Sequence, residues 1–181
     1  VYGAYLKKLS ANALPDIKVE KLPIIKSTKT HKCYNKDCID LLHEINENDI
    51  IYIDPPYNSR QYGSNYHLLE TIVKYDNPDI KILGTNETER ESITGLREDL
   101  PISKWCKKGE IKLELKKILS SKSKYIFMSY NTEGLISEEE IKEIFEEYGN
   151  LTIKYKDYKR YRSNKRVKDK EIKELLFCLI K

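Results

Sequence analysis

The sequence predicts an α/β fold, a mixed sheet flanked by helices, and three observations predict it. Short apolar runs with strand character, residues 50–53 and 124–128, are separated by segments with helical periodicity. The first run ends in Asp54-Pro55-Pro56-Tyr57, a stiff and charged elbow. Two alternating or continuous apolar runs close the chain, around Leu151, Ile153 and Tyr155 and over residues 175–180. Ser163-Asn164 offers a turn between them, so they read as an antiparallel hairpin.

Taken in order, Tyr5, Leu6 and Leu9 have helical spacing that Pro15 stops. Residues 17–25 alternate around Pro23 and read as a linker or an edge strand. Residues 31–34 are a short strand candidate. Asp37 then precedes Ile39, Leu41, Leu42 and Ile45, which have helix-like spacing that Asp37 can cap. After the elbow, residues 58–64 are polar and loop-like. Asn65 can cap a helix through Leu68, Leu69, Ile72 and Val73 that Asn77-Pro78 closes. Residues 79–108 show no sustained period and read as a long loop, of a length usually functional or mobile. Residues 110–119 form a helix with Ile111, Leu115, Ile118 and Leu119 on one face, and Ser129-Tyr130-Asn131 stands at the carboxyl end of the 124–128 strand. Ser137 and Glu140 fit a capping box, with Ile136 and Ile141 as its hydrophobic staple and Gly149 as the stop. By organisation, residues 1–30 read as a helix and linker set off from residues 31–181, within which 79–108 reads as an insertion.

Composition narrows the function. A chain of 181 residues, 39% hydrophobic and 34% charged, is one globular domain with a real core. It has no apolar run of membrane-spanning length and no signal-peptide pattern, which points to the cytoplasm and to no membrane partner. The four cysteines make no Cys-x-x-Cys pair, and with three histidines they make no metal-site spacing, so no metal is expected and the thiols read as reduced. The net charge is only +4, so a nucleic-acid footprint has to be local. Such a footprint exists between Lys154 and Lys173, where ten Lys/Arg face three acids and Tyr155, Tyr158 and Tyr161 are interleaved. Basic side chains neutralise phosphates and rings stack on bases. A lysine-rich hairpin that blunts its own edge is the plainer explanation of the same residues.

The elbow carries the chemistry. Consecutive prolines fix φ and remove two donors, and Pro55 keeps Asp54 out of the helical region, so the strand stops there. Ligands of open α/β sheets sit outside such strand ends. An exocyclic amino group offers two N–H donors: Asp54 can accept one and the carbonyl of Pro55 or Pro56 the other, while the Tyr57 ring stacks on the base for about 1–3 kcal/mol.

Asp54-Pro55-Pro56-Tyr57 resembles the catalytic motif of amino-group DNA methyltransferases. The stretches Arg60-Gln61-Tyr62, Asn65 to Thr71, Thr94-Gly95-Leu96-Arg97 and Ser129 to Gly134 are similar to the FokI-type branch of the Dam-like adenine N6-methyltransferases, and Tyr158 to Ser163 with the last strand is similar to that family's closing hairpin. The resemblance implies a partial Rossmann-like methyltransferase sheet and S-adenosylmethionine as donor. It implies double-stranded DNA with a flipped target base as substrate, and a restriction-modification setting with a cognate endonuclease. Asp54, Pro55, Pro56 and Tyr57 are then catalytic. Asp37, ahead of the catalytic strand, is the first choice for contacting the donor's adenosine; Asp40 is the weaker candidate, and Asp54 also borders the donor. Asn58, Arg60, Arg97, Tyr158, Arg160, Tyr161 and Arg162 are the candidates for DNA contact. His67 and Trp105 read as packing residues. One departure stands out. The family carries a Phe-x-Gly-x-Gly type loop near its amino end, and no two of the seven glycines here are close enough to form it. The chain therefore reads as the carboxyl-terminal portion of a longer enzyme, lacking an amino-terminal half or a partner chain. Two rivals stay open: a non-catalytic or partner-dependent nucleic-acid-binding module, and an RNA or protein amide methyltransferase.

Overall fold

A computed structural model describes residues 16, 18, 20–84, 89–92, 95–158 and 172–181. The chain divides into two compact bodies. One takes in Asp37–Ser64 and Leu100–Lys181; the other takes in the described residues among Val1–Lys36 and Asn65–Asp99.

The first body is a four-stranded mixed sheet with helices. The strands are β1 (Ile50–Ile53), β4 (Tyr125–Asn131), β5 (Asn150–Tyr158) and β6 (Ile172–Ile180), in the order β1-β4-β6-β5. β1 runs parallel to β4 with Ile53 beside Met128. β4 and β6 are antiparallel with Ser129 beside Leu176, and β5 pairs antiparallel to β6 from Asn150 beside Ile180 to Tyr158 beside Ile172. The expected α/β class and closing hairpin are therefore observed. The strand expected over 124–128 runs on through Asn131, because β6 continues to offer it partners as far as Glu174.

Strand alternation and this register sort the side chains onto two faces. Ile53, Ile126, Met128, Leu175, Phe177 and Leu179 form one face and are buried. Helices α2 (Lys108–Leu119) and α3 (Glu138–Glu146) contribute Ile111, Leu115, Ile118, Leu119, Ile141, Ile144 and Phe145 to the same core. Phe145 lies 5.6 Å from Phe177, centroid to centroid, at a tilted 37°. Full burial of each such ring stabilises the fold by about 1.5–3 kcal/mol. The other face carries Ile50, Tyr52, Tyr125, Phe127 and Ser129, and there Ile50 and Tyr52 are 68% and 63% exposed.

Local chemistry fixes the helix ends. The Ser137 side chain accepts from the Glu140 N–H at 3.2 Å, and the Glu140 carboxylate accepts from the Ser137 N–H at 2.7 Å, so the expected capping box is present. In α2, Lys116 and Lys117 occupy the last turn, where positive charge complements the helix dipole.

In the other body, α1 (Tyr62–Lys74) starts three residues before the expected Asn65 cap. Its only buried residue is His67, while Leu68, Leu69, Ile72 and Val73 are exposed. Residues 79–108 hold more structure than their lack of period predicts. A hairpin pairs β2 (Ile82–Leu83) with β3 (Arg90–Glu91) and Ile80 bridges Arg97, while in the first body a 3-10 helix spans Lys104–Cys106. Two-residue strands are too short for alternation to register. The strand expected at 31–34 is not formed: those residues are exposed and irregular, and no strand among the described residues pairs with them. Residues 20–25 are likewise irregular. The helix expected within 2–14 and the 163–164 turn lie outside the described residues. Among the described residues, no helix is long and apolar enough to cross a membrane.

Candidate functional site: a strand-end elbow beside an apolar cleft

The parallel pairing of β1 with β4 brings two carboxyl ends to the same level. Asp54 follows Ile53 at one end, and Ser129 follows Met128 on the neighbouring strand. The Ser129 hydroxyl donates to Asp54 Oδ1 at 3.0 Å, across 75 residues of chain. Asp54 is exposed, Pro55 is buried, Pro56 is half-buried and Tyr57 is 42% exposed, so the elbow shows solvent a carboxylate and a ring on a buried proline footing.

Beside the elbow lies a cleft of about 360 Å³. Leu41, Leu42, Ile45, Ile51, Ile53 and Ile118 give it apolar walls, with Cys38, Tyr52, Asp54, Pro55, Pro56 and Trp105 completing the lining. The 3-10 helix Cys38–Glu44 supplies one wall, and the Asp37 carboxylate caps that helix by accepting from the Ile39 N–H at 3.0 Å. Asp40 is exposed in the first turn of the same helix. Burial pushes the Cys38 thiol above its ordinary pKa, and the Asp37 carboxylate adds to the effect. The cleft lining therefore includes a neutral thiol and the Trp105 ring. A flat, largely apolar group with a few polar edges matches such a lining.

The loop after the elbow is pinned on both sides. Asn58 Oδ1 accepts from the Arg60 N–H at 2.9 Å, a local turn that leaves the Arg60 side chain exposed. Gln61 exchanges two hydrogen bonds with the Ser103 backbone, at 2.8 and 3.2 Å. The Cys106 thiol donates to the Arg60 carbonyl at 3.4 Å. These contacts hold Trp105 over the cleft from a segment more than 40 residues away, a placement the sequence did not signal. A lone tryptophan in an aperiodic stretch reads as packing, and the Gln61–Ser103 link has no sequence signature.

Arg97, a candidate for DNA contact, is buried in its body. Its side chain is 1% exposed and its guanidinium is engaged on both edges. It donates to both oxygens of Asp76, at 2.6 and 2.7 Å, and to both oxygens of Asp99, at 2.8 Å each. A guanidinium shared between two carboxylates has no fork left for a phosphate. Tyr158 ends β5, and Arg160, Tyr161 and Arg162 lie outside the described residues. Lys154, Lys156 and Lys173 are exposed on the arms of the same hairpin. Among the described residues no cluster of three or more His, Cys, Asp or Glu side chains forms a metal site.

Comparison with known proteins gives consistent matches. Residues 1–161 match the model of the D12 class N6 adenine-specific DNA methyltransferase family. The chain is 37% identical to the modification methylase StsI of Streptococcus sanguinis over 98% of its length and 26% of the relative's. It is 38% identical to the type II methyltransferase M.NlaIII of Neisseria lactamica over 91% of its length and 46% of the relative's. It is 37% identical to the type II methyltransferase M.FokI of Planomicrobium okeanokoites over 99% of its length and 27% of the relative's. The chain thus spans between about a quarter and a half of these relatives. No solved structure matches it.

Proposed function

This chain belongs to the D12 class N6 adenine-specific DNA methyltransferase family, and from that premise we propose that it is the catalytic part of a site-specific DNA methyltransferase. The reaction moves a methyl group from S-adenosylmethionine to adenine N6 in double-stranded DNA, as the modification component of a restriction-modification system. The observation that carries this reading is the Asp54-Pro55-Pro56-Tyr57 elbow, an exposed carboxylate and ring at the end of β1 beside an apolar cleft. The four strands are then part of a Rossmann-like sheet, with residues 31–181 as the catalytic portion.

S-adenosylmethionine supplies an activated methyl group when bound. The lining suits its adenine: Leu41, Leu42, Ile51 and Trp105 would hold the purine, and Asp37, at the cap of the 3-10 helix that walls the cleft, with Asp40 as the weaker candidate, would contact the adenosine. The target adenine is swung out of the duplex, as it must be for its amino group to be reached. Tyr57 stacks on its face. Asp54 accepts one amino N–H and the carbonyl of Pro55 or Pro56 the other, which fixes the nitrogen's direction and raises its electron density. The amino nitrogen so held by Asp54 and the proline carbonyl would receive the methyl group that S-adenosylmethionine would supply, and its extra proton would leave to solvent or a neighbouring base. Much of the rate comes from positioning and from water excluded by the apolar walls. Asn58, Arg60, Tyr158, Arg160, Tyr161 and Arg162 are the DNA contacts in this reading, and Arg97 is a structural pin.

The test is label transfer from tritiated S-adenosylmethionine into adenine of duplex DNA. Asp54→Ala is expected to lower the rate by about a hundredfold or more, the order of removing one group that acts on the reacting atoms, with an unchanged circular dichroism spectrum. An Asp54→Ala protein that methylates at the wild-type rate overturns the assignment. The absence of a glycine-rich donor loop among the seven glycines favours one second reading, a nucleic-acid-binding part that depends on a further segment or partner chain for the donor. A folded protein that binds duplex DNA but no S-adenosylmethionine selects that reading.

A further inference from the structure

We propose that Ser129 is a positioning residue for the Asp54 carboxylate, a role that rests on the reading of Asp54 as the group holding the substrate amino group. Asp54 is exposed at a strand end. An exposed aspartate exchanges among rotamers. Ser129, in contrast, sits on a strand held on both sides, with β1 on one flank and β6 on the other. Its hydroxyl donates to Asp54 Oδ1 at 3.0 Å. That bond selects one rotamer, occupies one oxygen and leaves Oδ2 for the amino N–H of the base. A charge-assisted bond of this kind outweighs the preference among rotamers of a free side chain. The strand register makes the pair possible: Ile53 beside Met128 sets the next residue of each strand at the same height. Strand alternation puts Ser129 on the sheet face that also carries Phe127.

Two readouts test the role, one independent of turnover. The first is the pair of Hα–Hβ couplings of Asp54 by NMR in the purified chain. Wild type and Ser129→Thr are expected to show one rotamer, and Ser129→Ala averaged couplings. The second is steady-state methylation of duplex DNA. Ser129→Ala is expected to lower kcat about tenfold, the order one hydrogen bond to a charged group is worth, with KM for both substrates within about twofold of wild type. Ser129→Thr is expected to restore kcat. Ser129→Cys, close in size with a weak donor, falls between the two and serves if the alanine variant fails to fold. A Ser129→Ala protein with a single Asp54 rotamer overturns the proposal, as does one with averaged couplings and wild-type kcat, or a Ser129→Thr protein as slow as Ser129→Ala. Failure of the underlying functional reading looks different: Asp54→Ala then matches wild type in methylation, while the couplings still report whether Ser129 orients the carboxylate.

Discussion

At the scale of single residues, the clearest contrast is between two charged side chains. Asp54 stands exposed where a strand stops, and Arg97 is clasped between Asp76 and Asp99. Hydrogen bonds from Arg97 hold both carboxyls below the usual carboxylate range. Groups with depressed native pKa values stabilise the fold at pH values above their unfolded pKa, close to 3.8, and lose that contribution as the pH falls through the depressed values. Amide hydrogen exchange at Lys81 and Glu98, which pair with Leu96 and Asp79, reads this locally. After correction for intrinsic rates, protection is expected to hold above about pH 4 and to fall below it. In Arg97→Met protection is lower throughout and loses that acid dependence. The elbow was legible because its four residues carry conformational instructions in themselves. Arg97 was not, because a free arginine and a clasped one are the same letter, and Asp76 lies 21 residues away.

At the scale of elements, periodicity served where an element faces the core. β1, α2, α3 and β6 were each placed within a few residues, since their buried side chains repeat at the spacing of the structure they form. α1 differs: the helix expected through Leu68, Leu69, Ile72 and Val73 forms, but those side chains are exposed, and it starts three residues before the expected cap. The start of α3 and the turn that follows it offer two tests; the helix ends at Glu146 with Glu147 as its cap, short of the expected stop at Gly149. Ser137→Ala removes one side of the capping box and is expected to cost about 1 kcal/mol in chemical denaturation. Gly149→Ala is expected to cost about 1–3 kcal/mol, because a Cβ there overlaps the Ile180 carbonyl oxygen and comes within 2.9 Å of the Lys181 Cα. Equal stability of the glycine variant would mean that β6 can shift to admit a methyl group.

At the scale of the whole molecule, the chain holds one tryptophan, and that residue lines the cleft. Donor binding is therefore expected to change tryptophan emission on titration with S-adenosylmethionine. Asp37→Asn keeps an oxygen to cap the 3-10 helix while removing the charge, and is expected to weaken binding about tenfold if the carboxylate contacts adenosine. Unchanged affinity would reduce Asp37 to its cap. What the sequence could not convey at this scale is the joining of distant segments: Gln61 to Ser103, Cys106 to Arg60, Asp54 to Ser129. The last of these has a kinetic consequence. The two residues meet only after a loop of 75 residues has closed and a parallel strand pair has formed, and contacts of such high sequence separation form slowly. Helices α2 and α3 bring their own local contacts and are expected to recover ellipticity early during refolding. The site itself belongs to the slow phase, so the return of donor binding should lag behind the return of helix and serve as a clock for completion of the sheet.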